Sequence, residues 1–145
     1  MRRNLLRWPL PAASLVFYVN PTLHLAENSV LPRQLLFVCS QNRWRSLTAE
    51  GLFAGHPSLL ARSAGTEPGA RVRVAAGHLG WADIIFVMEK RHADRLRAKF
   101  GPELAGKPVV NLRIPDDYRF EDPALVALLH ERLAAYFGQP LAAIR

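Results

Sequence analysis

Cysteine is almost missing from this chain: Cys39 is the only one among 145 residues. A lone thiol forms no intramolecular disulfide, which excludes a secreted disulfide scaffold and fits a reducing compartment, so a cytoplasmic location is expected. Acidic side chains are the scarcer sign, 12 against 19 basic, leaving a formal charge of +7. That field favours anionic partners in general. It does not select nucleic acid, because no aromatic–basic ladder or recognition motif accompanies it. Long apolar runs are also missing. The mixed stretch from Leu10 to Val19 is broken by Pro11 and ends at the Asn20-Pro21 turn signal. It is far shorter than the roughly 20 apolar residues a spanning helix needs, so no membrane partner is expected. The histidines (His24, His56, His78, His92 and His130) form no spaced set with Cys39 or acids that suggests zinc, and none has an obvious role. No metal or other cofactor is expected, and no repeat or low-complexity tract appears.

What is present suits one small core. Half of the residues are hydrophobic, which excludes global disorder, and 145 residues suffice for a single domain. The first 34 residues stand apart. Arg2, Arg3 and Arg7 precede the interrupted apolar stretch, but no clean small-residue cleavage site follows it. The readings for 1–34 are a flexible extension, a strand at Leu15–Val19 added to the domain, or a start codon chosen too early. Residues 35–145 read as the domain.

Within them, apolar runs and one-sided helical patterns alternate. Leu35–Val38 is a continuously apolar strand, as in a parallel sheet covered on both faces. A helix begins near Arg45 or Ser46 and stops before Pro57. Leu60–Ser63 is a second strand, followed by Ala64-Gly65-Thr66. Arg71 to His78 is expected to be helical over an Ala/Val face. Ala82–Val87 holds the third strand, Lys90 to Phe100 a helix stopped by Gly101-Pro102, and Val109–Leu112 the fourth strand. A polar loop, 113–122, leads to a helix over Pro123 to Phe137, with Asp122 as N-cap and Pro123 in its first turn. The pattern predicts an α/β fold, a small three-layer sandwich around a four-stranded parallel sheet. Ligands of such sheets bind at the carboxyl ends of the strands. Cys39, Thr66, Met88 and the 113–122 loop all follow strands and should share that edge.

The segment CSQNRWRS then becomes the candidate site. A thiol after the first strand lies near the N-terminus of the next helix, where orphan N–H groups and the helix dipole favour an anion. Arg45 offers a planar fork suited to two phosphoryl oxygens. Ser46 is placed to donate to a thiolate, and Asn42 tolerates the left-handed turn that folds the loop's N–H groups inward. Ser40, Gln41, Asn42, Arg43, Trp44 and Arg45 form the expected phosphate cradle. Trp44 either packs beside the loop or walls a cleft. Asp116 and Asp117 are both candidates for a proton donor opposite the thiol. Lys90-Arg91 and Arg95-Arg97-Lys99 read as a solvated helix side.

These features resemble the low-molecular-weight protein tyrosine phosphatase family. The likeness covers residues 35–145: Cys39, Asn42, Arg45 and Ser46, then Ser63-Ala64-Gly65-Thr66, Ala82-Asp83-Ile84-Ile85 with Met88, and Pro115-Asp116-Asp117-Tyr118. The resemblance implies a phosphotyrosine-phosphatase-I-like fold and metal-independent hydrolysis of a phosphate monoester through a phospho-cysteine. It implies Cys39 as nucleophile, Arg45 as phosphate clamp and Asp116 as general acid. Ser46, Asn42, Ser63, Asp117 and Tyr118 are supporting residues, with Ser63 acting through Asn42 and Tyr118 either stacking on an aromatic substrate or packing its loop. The implied partner is a phosphorylated protein or small phosphate monoester, for a monomer or weak dimer.

The chain also departs from the family pattern. Gln41 stands where glycine is usual, Trp44 where a second cysteine is common, and Asp117 where proline is usual. The segment between Thr66 and Ala82 is much shorter than is typical. These departures motivate the alternative of a non-catalytic phosphate- or phosphoprotein-binding domain. Arsenate reduction is disfavoured, because resolving an arseno-thiol adduct internally needs further cysteines.

Overall fold

The computed structural model describes residues 33–145. The extension expected at 1–34, with its candidate strand at Leu15–Val19, lies outside the described residues apart from Arg33 and Gln34, which open the first strand. Strands and helices alternate: β1 (Arg33–Cys39), α1 (Arg45–Leu52), β2 (Leu59–Gly65), α2 (Ala76–Trp81), β3 (Ile84–Val87), α3 (Lys90–Leu104), β4 (Val109–Asn111) and α4 (Pro123–Phe137). The four strands form one sheet in the order β2-β1-β3-β4, and every neighbouring pair is parallel.

The two sheet faces are filled differently. Leu36 and Val38 join a core with Val74, Leu79, Ala93 and Leu96 beneath α2 and α3. Phe37, one residue out of phase, stacks on Phe53 at 5.7 Å and Phe86 at 5.2 Å on the opposite side. There Tyr136 meets Phe86 edge-on, and Leu125, Leu129 and Leu133 are buried along α4. Fully burying each such side chain contributes about 1.5–3 kcal/mol. Strand alternation fixes Cys39 on the same face as Phe37, the face of α1. Helix α4 is capped as expected: the Asp122 carboxylate accepts the Ala124 N–H at 2.9 Å, and Gly138, at φ 79°, ends the helix in the left-handed region.

Two elements differ from expectation. Residues 71–72 form a bend, Arg73 makes a parallel bridge with Gly65, and the helix predicted from Arg71 forms only over Ala76–Trp81. The Gly65 N–H donates to Val72 O and the Val74 N–H donates to Gly65 O, so the segment pairs with the end of β2. The alternation Arg71-Val72-Arg73-Val74 carries that signal, with Val74 buried and both arginines exposed. Helix α3 does not stop at Gly101-Pro102. It kinks at Phe100 (φ −125°, ψ 34°) and continues to Leu104. Proline fits a first helical turn, where no N–H is needed, so Pro102 begins the new turn rather than ending the old one.

Candidate active site

The carboxyl edge of the sheet gathers the loops after β1, β2, β3 and β4. The Thr66 N–H donates to Cys39 O at 2.9 Å, and the Glu67 N–H donates to Ser40 O at 3.0 Å. The Met88 N–H reaches Val38 O, and the Ile114 N–H reaches Met88 O. Gly65 lies opposite Cys39 in the β1–β2 register. Backbone pairing alone therefore brings residues far apart in sequence to the thiol loop.

Asn42 adopts φ 58°, the left-handed turn expected for it. The turn sends its own N–H back to Cys39 Sγ at 3.2 Å. Ser46 Oγ lies 2.9 Å from the same sulfur. The Asn42 side-chain amide donates to Ser46 Oγ at 2.9 Å, and the serine's hydrogen faces two acceptors, the sulfur and, farther away at 3.5 Å, Ala64 O. Two donors thus converge on Sγ, an arrangement that suits a thiolate. No side chain caps the start of α1 at Trp44, so its first N–H groups remain available for an anion.

Arg45 is buried, and its Nη1 donates to Glu89 Oε1 and to Ile114 O, each at 2.8 Å. One edge of the guanidinium is fixed to the protein by these bonds. The Nε/Nη2 edge is left for the cleft, where Asp116 Oδ1 lies 3.6 Å from Nε. Arg91 also donates to Glu89 Oε1. Burial pushes the Glu89 carboxyl up, but the hydrogen bonds and charges of Arg45 and Arg91 outweigh it and hold the group below its ordinary value.

The cleft itself is small, about 80 Å³, and is lined by Cys39, Ser40, Gln41, Arg43, Trp44, Arg45 and Asp116. Trp44 is 43% exposed and walls the cleft, with the Arg119 guanidinium 5.9 Å from its ring. Asn42 and Ser46 stand buried behind the wall. Asp117 is exposed and Tyr118 half-buried, and neither is among the lining residues. Ser63 requires a correction. It donates to Glu50 Oε1 on α1 rather than acting through Asn42. Ser63 pairs with Phe37 in register, two residues short of the thiol, so its side chain meets the second turn of α1 instead of the loop.

Two residues escaped the sequence reading. His92 is fully buried, its Nδ1 accepts the Glu89 N–H at 3.1 Å, and its Nε2 lies 2.9 Å from Ser40 Oγ. An accepting Nδ1 places the proton on Nε2, which donates to Ser40. Burial, then the charges of Arg45 and Arg91, lower the imidazole's pKa from 6.5 to about 4, with Glu89 opposing weakly. The ring is therefore neutral near pH 7. Glu89 is the other omission. Glu89 follows β3 and His92 lies in the first turn of α3, and their place at the same strand edge as Met88 was the available signal.

The comparisons with known proteins agree with this geometry. No protein-family model matches the chain. The low-molecular-weight protein-tyrosine-phosphatase Wzb of Escherichia coli strain K12 is 36% identical over 140 residues, covering 74% of this chain and 94% of the relative. The Wzb of Escherichia coli O157:H7 matches to the same extent. The chain belongs to the low-molecular-weight protein-tyrosine-phosphatase family. Among solved structures, Vibrio vulnificus Wzb in complex with benzylphosphonate superposes with a TM-score of 0.58 at 25% identity, over 73% of this chain and 97% of that one. Escherichia coli K30 Wzb in complex with phosphate gives a TM-score of 0.60 at 22% identity, over 74% and 98% of the two chains. The YwlE arginine phosphatase of Geobacillus stearothermophilus gives 0.54 at 20%, over 74% and 94%, and shares the fold. Membership, with the Cys39-x5-Arg45 loop, makes this chain a phosphatase of the phospho-cysteine class rather than a phosphate-binding domain without chemistry.

Proposed function

We propose that the protein hydrolyses phosphate monoesters, phosphotyrosine in proteins above all, through a phospho-cysteine on Cys39. The observation that carries this reading is the meeting of two Sγ donors with the Nε/Nη2 edge of Arg45, faced by Asp116, in one cleft. The Cys39 thiolate attacks phosphorus while the Nε/Nη2 edge of Arg45 and the loop N–H groups hold the equatorial oxygens. The ester P–O bond breaks, and Asp116, the carboxyl that lines the cleft, gives its proton to the departing oxygen. The same aspartate then takes a proton from the water that attacks phosphorus. The P–S bond breaks, and the Ser46 hydroxyl and Asn42 N–H receive the returning thiolate. Ser40, Gln41 and Arg43 complete the cradle, with Asn42 and Ser46 shaping it from behind. The guanidinium and backbone supply the positive charge, so the scheme invokes no metal.

Two features favour an aryl ester. The exposed Trp44 ring offers a flat wall to a substrate ring, and the curated relatives carry the name of tyrosine phosphatases. Tyr118, half-buried in its loop, takes a packing role. Asp117 supports Asp116 as its exposed neighbour. The preferred partner is a phosphorylated protein approached by a monomer or weak dimer. No helix among the described residues is long and apolar enough to cross a membrane, and the lone thiol suits the cytoplasm.

The test is p-nitrophenyl phosphate turnover at pH 5–7 with EDTA, comparing the native chain with Cys39→Ser. Turnover that vanishes in the variant supports the scheme. Retained turnover in purified Cys39→Ser would overturn the covalent mechanism. Hydrolysis of phosphotyrosine but not phosphoserine peptides tests the substrate class.

A further inference from the structure

A second cavity, about 220 Å³ against about 80 Å³ for the catalytic cleft, opens between the segment after β2 and helix α3. It shares no lining residue with the cleft. Its floor is apolar, made by Val74, Leu96 and Phe100, and its rim carries Arg73, Arg95 and Lys99. Charge around it is unbalanced. Arg95 is paired with Glu67, while Arg73 makes no ion pair among the described residues, and the Lys99 ammonium rests over the Phe100 ring. Thr66 also lines the cavity, while its hydroxyl oxygen is buried away from it.

We propose that this cavity binds a small organic anion, its apolar body on Val74, Leu96 and Phe100 and its charged group held by Arg73 and Lys99. Apolar pockets with a few convergent polar groups are the usual form of small-molecule sites, and an anion supplies the acceptor that the surplus cations lack. The site stands directly behind the catalytic loop, since the Thr66 N–H donates to Cys39 O. Arg73 bridges Gly65 at the end of β2, with Val74 in the core beneath α3 and Arg73 left on the rim.

The test is calorimetric titration of the full chain with naphthalene-1-sulfonate, a fused-ring body with an anionic group that carries no phosphoryl to remove. One saturable site is expected, unaffected when orthovanadate fills the catalytic cleft. Binding should weaken at least about tenfold in Arg73→Ala/Lys99→Ala. Both side chains are exposed, so circular dichroism should show that variant folded. Phe100→Ser should weaken binding as well. Absence of saturable binding at millimolar concentrations, displacement by orthovanadate, or unchanged affinity in the folded double variant would each overturn the proposal. None of these readouts depends on turnover, so loss of the catalytic scheme would leave the result standing.

Discussion

His92 Nε2 lies 2.9 Å from Ser40 Oγ, and that bond ties helix α3 to the loop that carries the thiol. The same ring accepts the Glu89 N–H, and Glu89 in turn holds Arg45. One buried imidazole therefore links both halves of the site. His92→Ala leaves the Ser40 hydroxyl and the Glu89 N–H without their partner, a cost of about 1–3 kcal/mol for a buried group. Stability should fall by that order in urea unfolding, and turnover should fall about tenfold if the loop shifts by a fraction of an ångström. His92→Gln, which retains a donor, should recover part of the turnover. Equal activity in His92→Ala and the native chain would show that the bond does not position the loop.

Acid should destabilise the fold through the same residue. The unfolded imidazole titrates near 6.5 and the folded one at about 4. Between those values the unfolded chain holds a proton that the folded chain refuses, so stability falls as pH drops from 6.5 towards 4 and then levels. The contribution is of the order of 3 kcal/mol. Glu89 acts in the same sense. Its carboxyl is held below the ordinary 4.5, so its stabilisation is present above that value and is lost as pH falls through the folded one. Urea unfolding at pH 7.5 and pH 5 should show the loss, and a folded His92→Leu variant should show much less of it. Identical pH slopes in the two proteins would sink the assignment.

Gly65 should tolerate no side chain, and the reason is space rather than backbone angle. A Cβ there would meet Ser40 O at 2.5 Å, Ala70 Cβ at 2.7 Å and the Asn42 nitrogen at 3.0 Å. Two of these atoms are backbone of the catalytic loop and do not move independently. Gly65→Ala should cost about 1–3 kcal/mol, as overpacking does, and should lower turnover by displacing the loop. Native stability and native kcat in that variant would contradict the geometry.

Asp116 and Asp117 should separate cleanly by leaving group. Asp116→Asn should slow phenyl phosphate hydrolysis by about 10²-fold or more, and p-nitrophenyl phosphate less, because nitrophenolate departs without a proton. Asp117→Asn, changed outside the cleft, should leave both rates close to native. The reverse pattern in steady-state kinetics would transfer the acid's role to Asp117.

Arg45 should depend on Glu89 for its orientation. Glu89→Gln keeps an acceptor for Nη1 but removes the charge, so KM for p-nitrophenyl phosphate should rise with the fold intact. An unchanged KM would mean that the Ile114 carbonyl alone fixes the guanidinium.

Much of this protein is determined by local sequence. The apolar runs 35–38 and 84–87, the one-sided helices, and the Asp122-Pro123 start each state their element through periodicity, capping and proline geometry. Chain order then places every strand end at one edge of a parallel sheet. The left-handed turn at Asn42 was legible for the same local reason, since few residues with a side chain accept it. Tertiary structure decided what is set by contacts between distant residues. Val72 and Val74 stayed out of the helix because Gly65 offered their backbone groups partners, overriding an Ala/Val face that reads as helix. Ser63 found Glu50 instead of Asn42 because its register position, two residues short of the thiol, set it beside the second turn of α1. His92 gained its place only when α3 set it against Ser40, 52 residues earlier in the chain. No periodicity encodes such a contact, because its partners are chosen by the packing of whole elements and not by their neighbours in sequence.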